Sequence, residues 1–246
     1  MYTQHPVFNT PSNEEIKVWR YMDFTKFLNI LERQSLFFTR SDRFEDKFEG
    51  SYTRYNVRMR PQVYNGQIPE EGLRQMSEAS NRFRRFTFVN CWHMNEHESA
   101  AMWRLYSQSN EAVAIQSTFA RLRDSFNMTN EDIYIGMVNY IDYEREWMPE
   151  GNLFYPFVHK RLSFEHEHEI RALYQYFPTS GDGLDLSQDL YDYGINIEID
   201  INVVIERIYV SPLAPRWFFE LVQAIVQRYG LNKEVIYSDI NSNPVF

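Results

Sequence analysis

Apolar residues recur along the chain at two spacings, and the switches between them mark out its elements. Phe24, Phe27, Leu28 and Leu31 keep the three-to-four-residue spacing of a helix, with Asp23 placed to cap its start. Leu36 to Arg40 reads as a strand, and the polar run SDRFEDKFEG, Ser41 to Gly50, as the loop that follows it. A charged helix is expected over Glu70 to Arg85, leading into a strand over Phe86 to Trp92. Glu98 to Ser107 reads as a short helix begun by Glu98 or Ser99, and Ala112 to Thr118 as a buried strand. Ile133 to Tyr143 reads as one longer strand and Phe154 to Lys160 as a short helix. Ile170 to Tyr176, Ile195 to Asp200 and Arg207 to Val210 are strand-like. Pro215 opens an amphipathic helix reaching Tyr229, Gly230 stops it, and Val235 to Tyr237 forms a last strand.

Helices and strands therefore interleave irregularly, with several direct strand-to-strand steps. That order predicts an α+β fold built on a mixed, mostly antiparallel sheet, not a doubly wound parallel one. No repeat and no linker between two composition regimes interrupts the 246 residues, so one domain over 1–246 is expected, with residues 1–15 as an irregular N-terminal arm. TSGDGLDLSQD, 179–189, reads as an exposed loop inside that domain.

Composition changes this picture in two places. Aromatic residues make up 17% of the chain, more than a core of this size needs, so some rings are expected to line a pocket or contact surface; a simply aromatic-rich core is the other reading. The net charge of −9 argues against a protein that coats nucleic acid. Against that average, Arg54, Arg58, Arg60, Arg74, Arg82, Arg84 and Arg85 face only Glu70, Glu71 and Glu78, which offers either a surface for a phosphate-bearing partner or a solvated helix face. Cys91 is the only cysteine, which excludes an internal disulfide and suits a reducing cytoplasm. No basic-then-apolar leader and no run of eighteen apolar residues occurs, so neither secretion nor a membrane span is expected. The glycines are scattered, and no G-x-G-x-x-G or G-K-[ST] is present, which sets aside the common nucleotide-binding loops.

Several clusters could carry chemistry. In FEHEHEIR, Phe164 to Arg171, a strand would put Glu165, Glu167 and Glu169 on one face, and carboxylates crowded in this way raise at least one pKa. The same pattern would also suit a solvated edge strand. Arg20, between Trp19 and Tyr21, could be held between aromatic planes and fork onto a phosphate or carboxylate. Asp42, Glu45, Asp46 and Glu49 could meet a hard cation, though their spacing matches no calcium loop. His93, His97, His166 and His168 could supply nitrogen ligands, yet HMNEH lacks the zincin spacing, and no metal site is assigned. Cys91 shares a strand face with His93, as a nucleophile or as a small buried apolar group. Trp103 and Tyr106 share a helix face, in the core or walling a pocket.

WRYM at 19–22, EDKFEG at 45–50, VNCW at 89–92, MWRLY at 102–106 and EHEIR at 167–171 together resemble the bacterial family catalogued as domain of unknown function 2971. That family typically carries Asp-Pro-Phe-Glu where this chain has Asp46, Lys47, Phe48 and Glu49, and Cys-Phe-Ser where it has Cys91, Trp92 and His93, so any polar role of the serine passes to His93 or is lost. The layout also resembles ADP-ribosyltransferases: an arginine at the end of the first strand, a central strand with small polar residues, and a late strand ending in Glu-x-Glu. That second resemblance implies NAD as co-substrate, with Arg20 gripping it, Tyr21, Trp103 and Tyr106 in the binding site, and Glu169 as catalytic carboxylate. Glu167 would activate or orient the acceptor, and Asn90 or Cys91 would occupy the region of the central polar motif. It further implies a protein or nucleic-acid acceptor and a toxin or phage-defence setting. Two readings without NAD stand beside it: a non-catalytic RNA- or protein-binding module using the arginines and aromatics, and a metal-dependent nuclease or hydrolase using Asp46, Glu49 and the late glutamates. Convergence of Arg20 and Glu169 on one pocket separates the first from the others.

Overall fold

In the computed structural model, which describes residues 1–246 apart from 108, 182, 188–190, 243, 245 and 246, strand β1 (Lys17–Asp23) runs straight into helix α1 (Phe24–Arg33). The helix buries Phe27, Ile30 and Leu31, the residues its apolar spacing marked. Gln34 then adopts a left-handed backbone, φ 48°, and turns the chain into β2 (Ser35–Arg40). After the polar loop come α2 (Arg54–Val63), α3 (Glu70–Phe83), β3 (Thr87–Met94) and α4 (Ala100–Tyr106). The Ser99 hydroxyl caps α4 by accepting from the Met102 amide. β4 (Ala112–Thr118), buried along its whole length, passes directly into α5 (Phe119–Ser125).

The next stretch departs from the expected order. Ile133 to Tyr143 is not one strand: β5 (Tyr134–Met137) and β6 (Asn139–Ile141) lie in different sheets. The amide of Val138 still donates to the Glu169 carbonyl, but that of Asn139 turns to Val158, so the chain leaves the main sheet at this point. Phe154 to Lys160 is not a helix beyond one 3-10 turn, Tyr155–Phe157, and then becomes β7 (His159–Arg161), which pairs parallel with β6. FEHEHEIR is not a strand either. Leu162–Glu167 forms a 3-10 turn, His168 is left-handed at φ 40°, and β8 (Glu169–Gln175) begins only afterwards. The exposed run 179–189 holds the two short strands β9 (Thr179–Ser180) and β10 (Gly183–Leu184), with 182, 188 and 189 outside the described residues. β11 (Gly194–Glu198), α6 (Ile201–Val204), β12 (Arg207–Val210), α7 (Arg216–Arg228) and β13 (Glu234–Tyr237) complete the chain, and Gly230, at φ 71°, follows α7 as expected.

The fold class matches the expectation: a nine-stranded mixed sheet in which every pair is antiparallel except β12 with β13. β3 is its centre. β8 pairs along one edge of β3 from Thr87 to His93, and β5 lies beyond β8. The other edge is shared. β2 pairs with Phe88 and Val89, and β1 with His93 and Met94. Asn90, Cys91 and Trp92 therefore have no strand partner on that edge among the described residues, and the sheet forks there. Asn90 bridges part of the gap by donating to the Phe37 carbonyl of β2, while its own side-chain oxygen accepts from the Trp92 indole. The main core packs Phe27, Leu31, Phe38, Phe88, Ile115, Phe218 and Val222 together on one side of the sheet.

α2 had no apolar periodicity to announce it. Its buried residues are Asn56 and Arg60, and Pro61 sits near its C-terminal end. Thr53 caps it, and Asn56 donates to the Met148 carbonyl. Among the described residues no helix is long and apolar enough to cross a membrane.

Gly50 closes the polar loop at φ 69°, with its Cα against the Phe157 ring and the Arg84 side chain, so any Cβ there meets both a strained backbone and a ring. Gly50→Ala is expected to destabilise the fold by about 1–3 kcal/mol, read as a shift of the urea midpoint at unchanged slope. A midpoint equal to that of wild type would show that the loop is free to move and does not position Glu49.

Candidate functional site

The fork opens into a cavity of about 470 Å³, a size suited to a small organic ligand, walled by α1 on one side and by Met102 and Tyr106 of α4 on the other. Alternation along β1 sends Val18, Arg20 and Met22 to one face of the sheet and Trp19 and Tyr21 to the opposite one. Trp19 and Tyr21 stack on each other, 6.2 Å apart, so Arg20 is not held between them as expected. Its guanidinium reaches across the fork instead. Nη1 donates to the Cys91 carbonyl at 2.8 Å, an acceptor that the missing strand leaves available, and the group lies 6.0 Å from the Trp92 ring. Burial lowers its pKa, and no carboxylate pairs with it among the described residues. Arg20 is thus a cation poised over a cavity without a counter-ion, a situation an incoming anion relieves.

Glu169 and Arg171 stand two apart on β8 and so share a face, opposite His93 and Cys91 of β3 in register. The 3-10 turn folds Glu167 back beside Glu169, and β7 delivers Lys160 between them. Lys160 Nζ lies 2.5 Å from Glu167, 3.1 Å from Glu169 and 3.4 Å from Glu49. Arg171 binds Glu169 at 2.6 Å and Glu49 through both terminal nitrogens at 2.8 and 3.0 Å, and it also donates to the Phe157 carbonyl. All five side chains are buried. The three-carboxylate face expected at 165, 167 and 169 is therefore corrected: Glu165 is exposed, and Glu49, from a loop far away in sequence, takes its place.

Three carboxylates against two cations leave one negative charge in excess in a dry setting, which favours a retained proton. Burial and the neighbouring charge of Glu169 push Glu167 up to about 7 despite Lys160. Burial also acts on Glu169, but Arg171 and Lys160 outweigh it and hold that carboxyl well below the usual range. Glu167 and Glu169 both line the cavity, as do Arg20, Tyr21 and Tyr106. Arg20 and Glu169 enter from opposite faces of the sheet, and only the fork lets them open on the same space.

His93 Nδ1 contacts the Glu167 carbonyl at 2.6 Å, which makes Nδ1 the protonated nitrogen and leaves Nε2 as an acceptor; Nε2 is buried with no partner among the described residues. Cys91 also lines the cavity, yet burial pushes its thiol up to about 12, so it is a protonated apolar group at neutral pH and not an activated nucleophile. The Tyr21 hydroxyl accepts from the Ser99 amide and so pins the start of α4. Tyr106 overlooks Glu167 and Glu169, whose charges add to burial in raising its hydroxyl pKa. Trp103 does not wall the cavity. It is buried against Trp19, Tyr21 and Ala114, and its indole donates to Glu98.

The remaining candidates are tied up elsewhere. Asp42 pairs with Arg40 and Asp46 with Arg161, while Glu49 belongs to the buried network, so these acids do not meet around a cation. The ammonium of Lys160 occupies the point where Glu49, Glu167 and Glu169 converge. No group of three His, Cys, Asp or Glu side chains suited to a metal occurs among the described residues. In the arginine-rich segment Arg54 pairs with Glu144, Arg74 with Glu71, and Arg60 is fully buried on Glu150, so the segment is not a free basic stripe.

No family model matches the chain, and no curated protein does, so the resemblance to domain of unknown function 2971 finds no support there. Two solved structures are similar in overall chain path: Thermus sp. 2.9 DarT in complex with NAD+, at 9% identity and TM-score 0.41 over 94% of this chain and 98% of that one, and the same protein with carba-NAD+, at 9% and 0.40 over 92% and 97%.

A carboxyl whose folded pKa lies above its unfolded value, here about 7 against 4.5 for Glu167, adds stability that is fully present below 4.5 and lost as pH rises through 7. Wild type is expected to lose unfolding free energy across that window more steeply than Glu167→Gln, which has no proton to lose. Parallel urea titrations of the two proteins at pH 5 and pH 8 measure this, and equal slopes would remove the raised pKa.

Proposed function

We propose that the forked cavity binds an NAD-type dinucleotide and breaks its nicotinamide–ribose bond, passing the ADP-ribosyl group to an acceptor or to water. The observation that carries this reading is the convergence of Arg20, a cation without a counter-ion, and the Glu167–Glu169 pair on one largely apolar cavity.

The chemistry follows from the charges. Arg20 supplies a forked donor for a phosphate oxygen, and Tyr106, exposed at the cavity, offers a flat surface for a ring. As the glycosidic bond breaks, nicotinamide departs with the bonding pair and positive charge grows on the ribose. Glu169, kept ionised and immobile by Lys160 and Arg171, is a fixed negative charge for that centre. The acceptor oxygen or nitrogen then forms the new bond to the ribose carbon, and its proton passes to Glu167, whose pKa near 7 lets it act as base in the ionised form. His93 Nε2 remains as an acceptor for a ribose hydroxyl or an amide N–H. Neither alternative has a comparable anchor, since Arg54, Arg60 and Arg74 of the basic stripe are paired with carboxylates and Lys160 sits among the acids a metal would need.

Calorimetric titration of NAD into the purified chain is expected to give saturable binding, weakened about 10–100-fold in Arg20→Ala, which removes a charge-assisted contact. Glu167→Gln should keep binding within a few-fold while nicotinamide release falls about 10²–10⁴-fold. Absence of binding at millimolar NAD, or turnover unchanged in Glu167→Gln, would overturn the reading.

A further inference from the structure

The sheet face that carries α4 is covered only in part. Trp19 of β1 lies opposite Gln116 of β4 in register, Gln116 opposite Arg207 of β12, and Tyr209, two residues on, opposite Ile236 of β13. Trp19, Gln116, Tyr209 and Ile236 therefore share this face. Met102 and Trp103 of α4 pack over Trp19, Tyr21, Ala112 and Ala114. Beside them lies an open hollow of about 450 Å³, bordered by the turn 96–98 before α4 and by Asp239 and Ile240 after β13. Trp19 is a wall of both this hollow and the forked cavity.

Three carboxylates border the hollow, Glu96, Glu98 and Asp239, and among the described residues no lysine or arginine lines it. Glu96 and Asp239 are exposed and make no ion pair among the described residues. Glu98 accepts through Oε2 from the Trp103 indole at 3.0 Å and the Ser238 hydroxyl at 2.7 Å, neutral donors that leave its charge in place. Arg207, which reaches the Tyr209 hydroxyl, is paired with Glu234 at 3.2 Å. The acids are not grouped as a metal requires. Negative charge beside the Tyr209 and Tyr237 rings suits instead an organic cation, whose charge is spread over several atoms.

Gln116 adds an independent feature. It is 5% exposed, and its Oε1 is enclosed without a donor. Its Nε2 makes no hydrogen bond either, but is not enclosed, and the residue lines the hollow, so the amide nitrogen keeps surface there. A buried amide with neither end satisfied is rare, and the free donor calls for an acceptor brought by a ligand.

We propose that this hollow binds a cationic amino acid, an arginine or lysine, either free or as a residue of a protein chain. The cationic head lies against Glu96, Glu98 and Asp239, the methylenes run along Ile236 and Tyr237, and the carbonyl or carboxylate accepts from Gln116 Nε2. The site stands without the NAD reading.

The test is calorimetric titration of N-acetyl-arginine amide into the full chain at low ionic strength. Saturable binding is expected, with N-acetyl-citrulline amide, the neutral isostere, weaker by about tenfold or more. Glu96→Gln combined with Asp239→Asn, two exposed changes that strand no partner, should weaken the arginine probe by a similar factor. Gln116→Met removes the donor and keeps the length; it should weaken that probe by about three- to tenfold while butylguanidinium, which has no carbonyl, binds as it does to wild type. The thermal midpoint of Gln116→Met should not fall, since no side-chain hydrogen bond is lost. Arg20→Ala should bind the probe as wild type does. Free arginine binding more tightly than N-acetyl-arginine amide identifies the free amino acid as occupant, and the reverse order identifies a chain residue. No binding of either at millimolar concentration, citrulline binding equally well, or unchanged affinity in the double variant or in Gln116→Met would overturn the proposal.

Discussion

The neutralisation of Glu49, Glu167 and Glu169 by Lys160 and Arg171 is the interaction on which the candidate site rests. These five charges are out of water, and removing either cation would strand carboxylates in a low-dielectric setting. The network also ties four segments to one point: the loop that ends at Gly50, the short β7, the 3-10 turn and β8. Its excess of one carboxylate holds a proton near neutrality on Glu167, while Glu169 stays charged. Two identical side chains are thereby set apart, with Lys160 and Arg171 both on Glu169 and Lys160 alone on Glu167.

The second constraint is the fork. A central strand whose edge is shared by two neighbours must leave backbone groups unpaired between them, and such groups need partners or a ligand. Here Asn90 and Arg20 supply two of those partners, one linking to β2 and the other to the Cys91 carbonyl. The gap is what makes a cavity inside an otherwise continuous sheet. It is also what lets residues from opposite faces open on one volume, which strand alternation would forbid in a closed sheet.

Several ion pairs join opposite charges far apart in sequence, while others, such as Arg40 with Asp42 and Arg74 with Glu71, are local. Arg60 with Glu150, Arg161 with Asp46 and Arg171 with Glu49 are pairings between segments about a hundred residues apart. Arg20 in the fork is a buried cation with no carboxylate partner among the described residues, and it stands at the cavity.

Local pattern by itself determined the class of fold and most of its elements. α1, β2, β4, β12 and α7 lie where periodicity, a cap or a stop residue placed them, because those signals depend only on near neighbours. Arg20 and Glu169 were also recognisable as candidates, and the Glu-x-Arg spacing at 169–171 was there to be read as placing Arg171 beside Glu169. Tertiary structure decided the rest. Whether Ile133 to Tyr143 stayed one strand depended on Val138 reaching Glu169 and Asn139 reaching Val158, and whether FEHEHEIR became a strand depended on Lys160 drawing Glu167 out of register. The burial of Arg60, the removal of Trp103 from the cavity and the replacement of Glu165 by Glu49 were settled in the same way. Long-range ion pairing and the sharing of one strand edge have no local signature, since the free energy that favours them arises only when distant segments exclude water together.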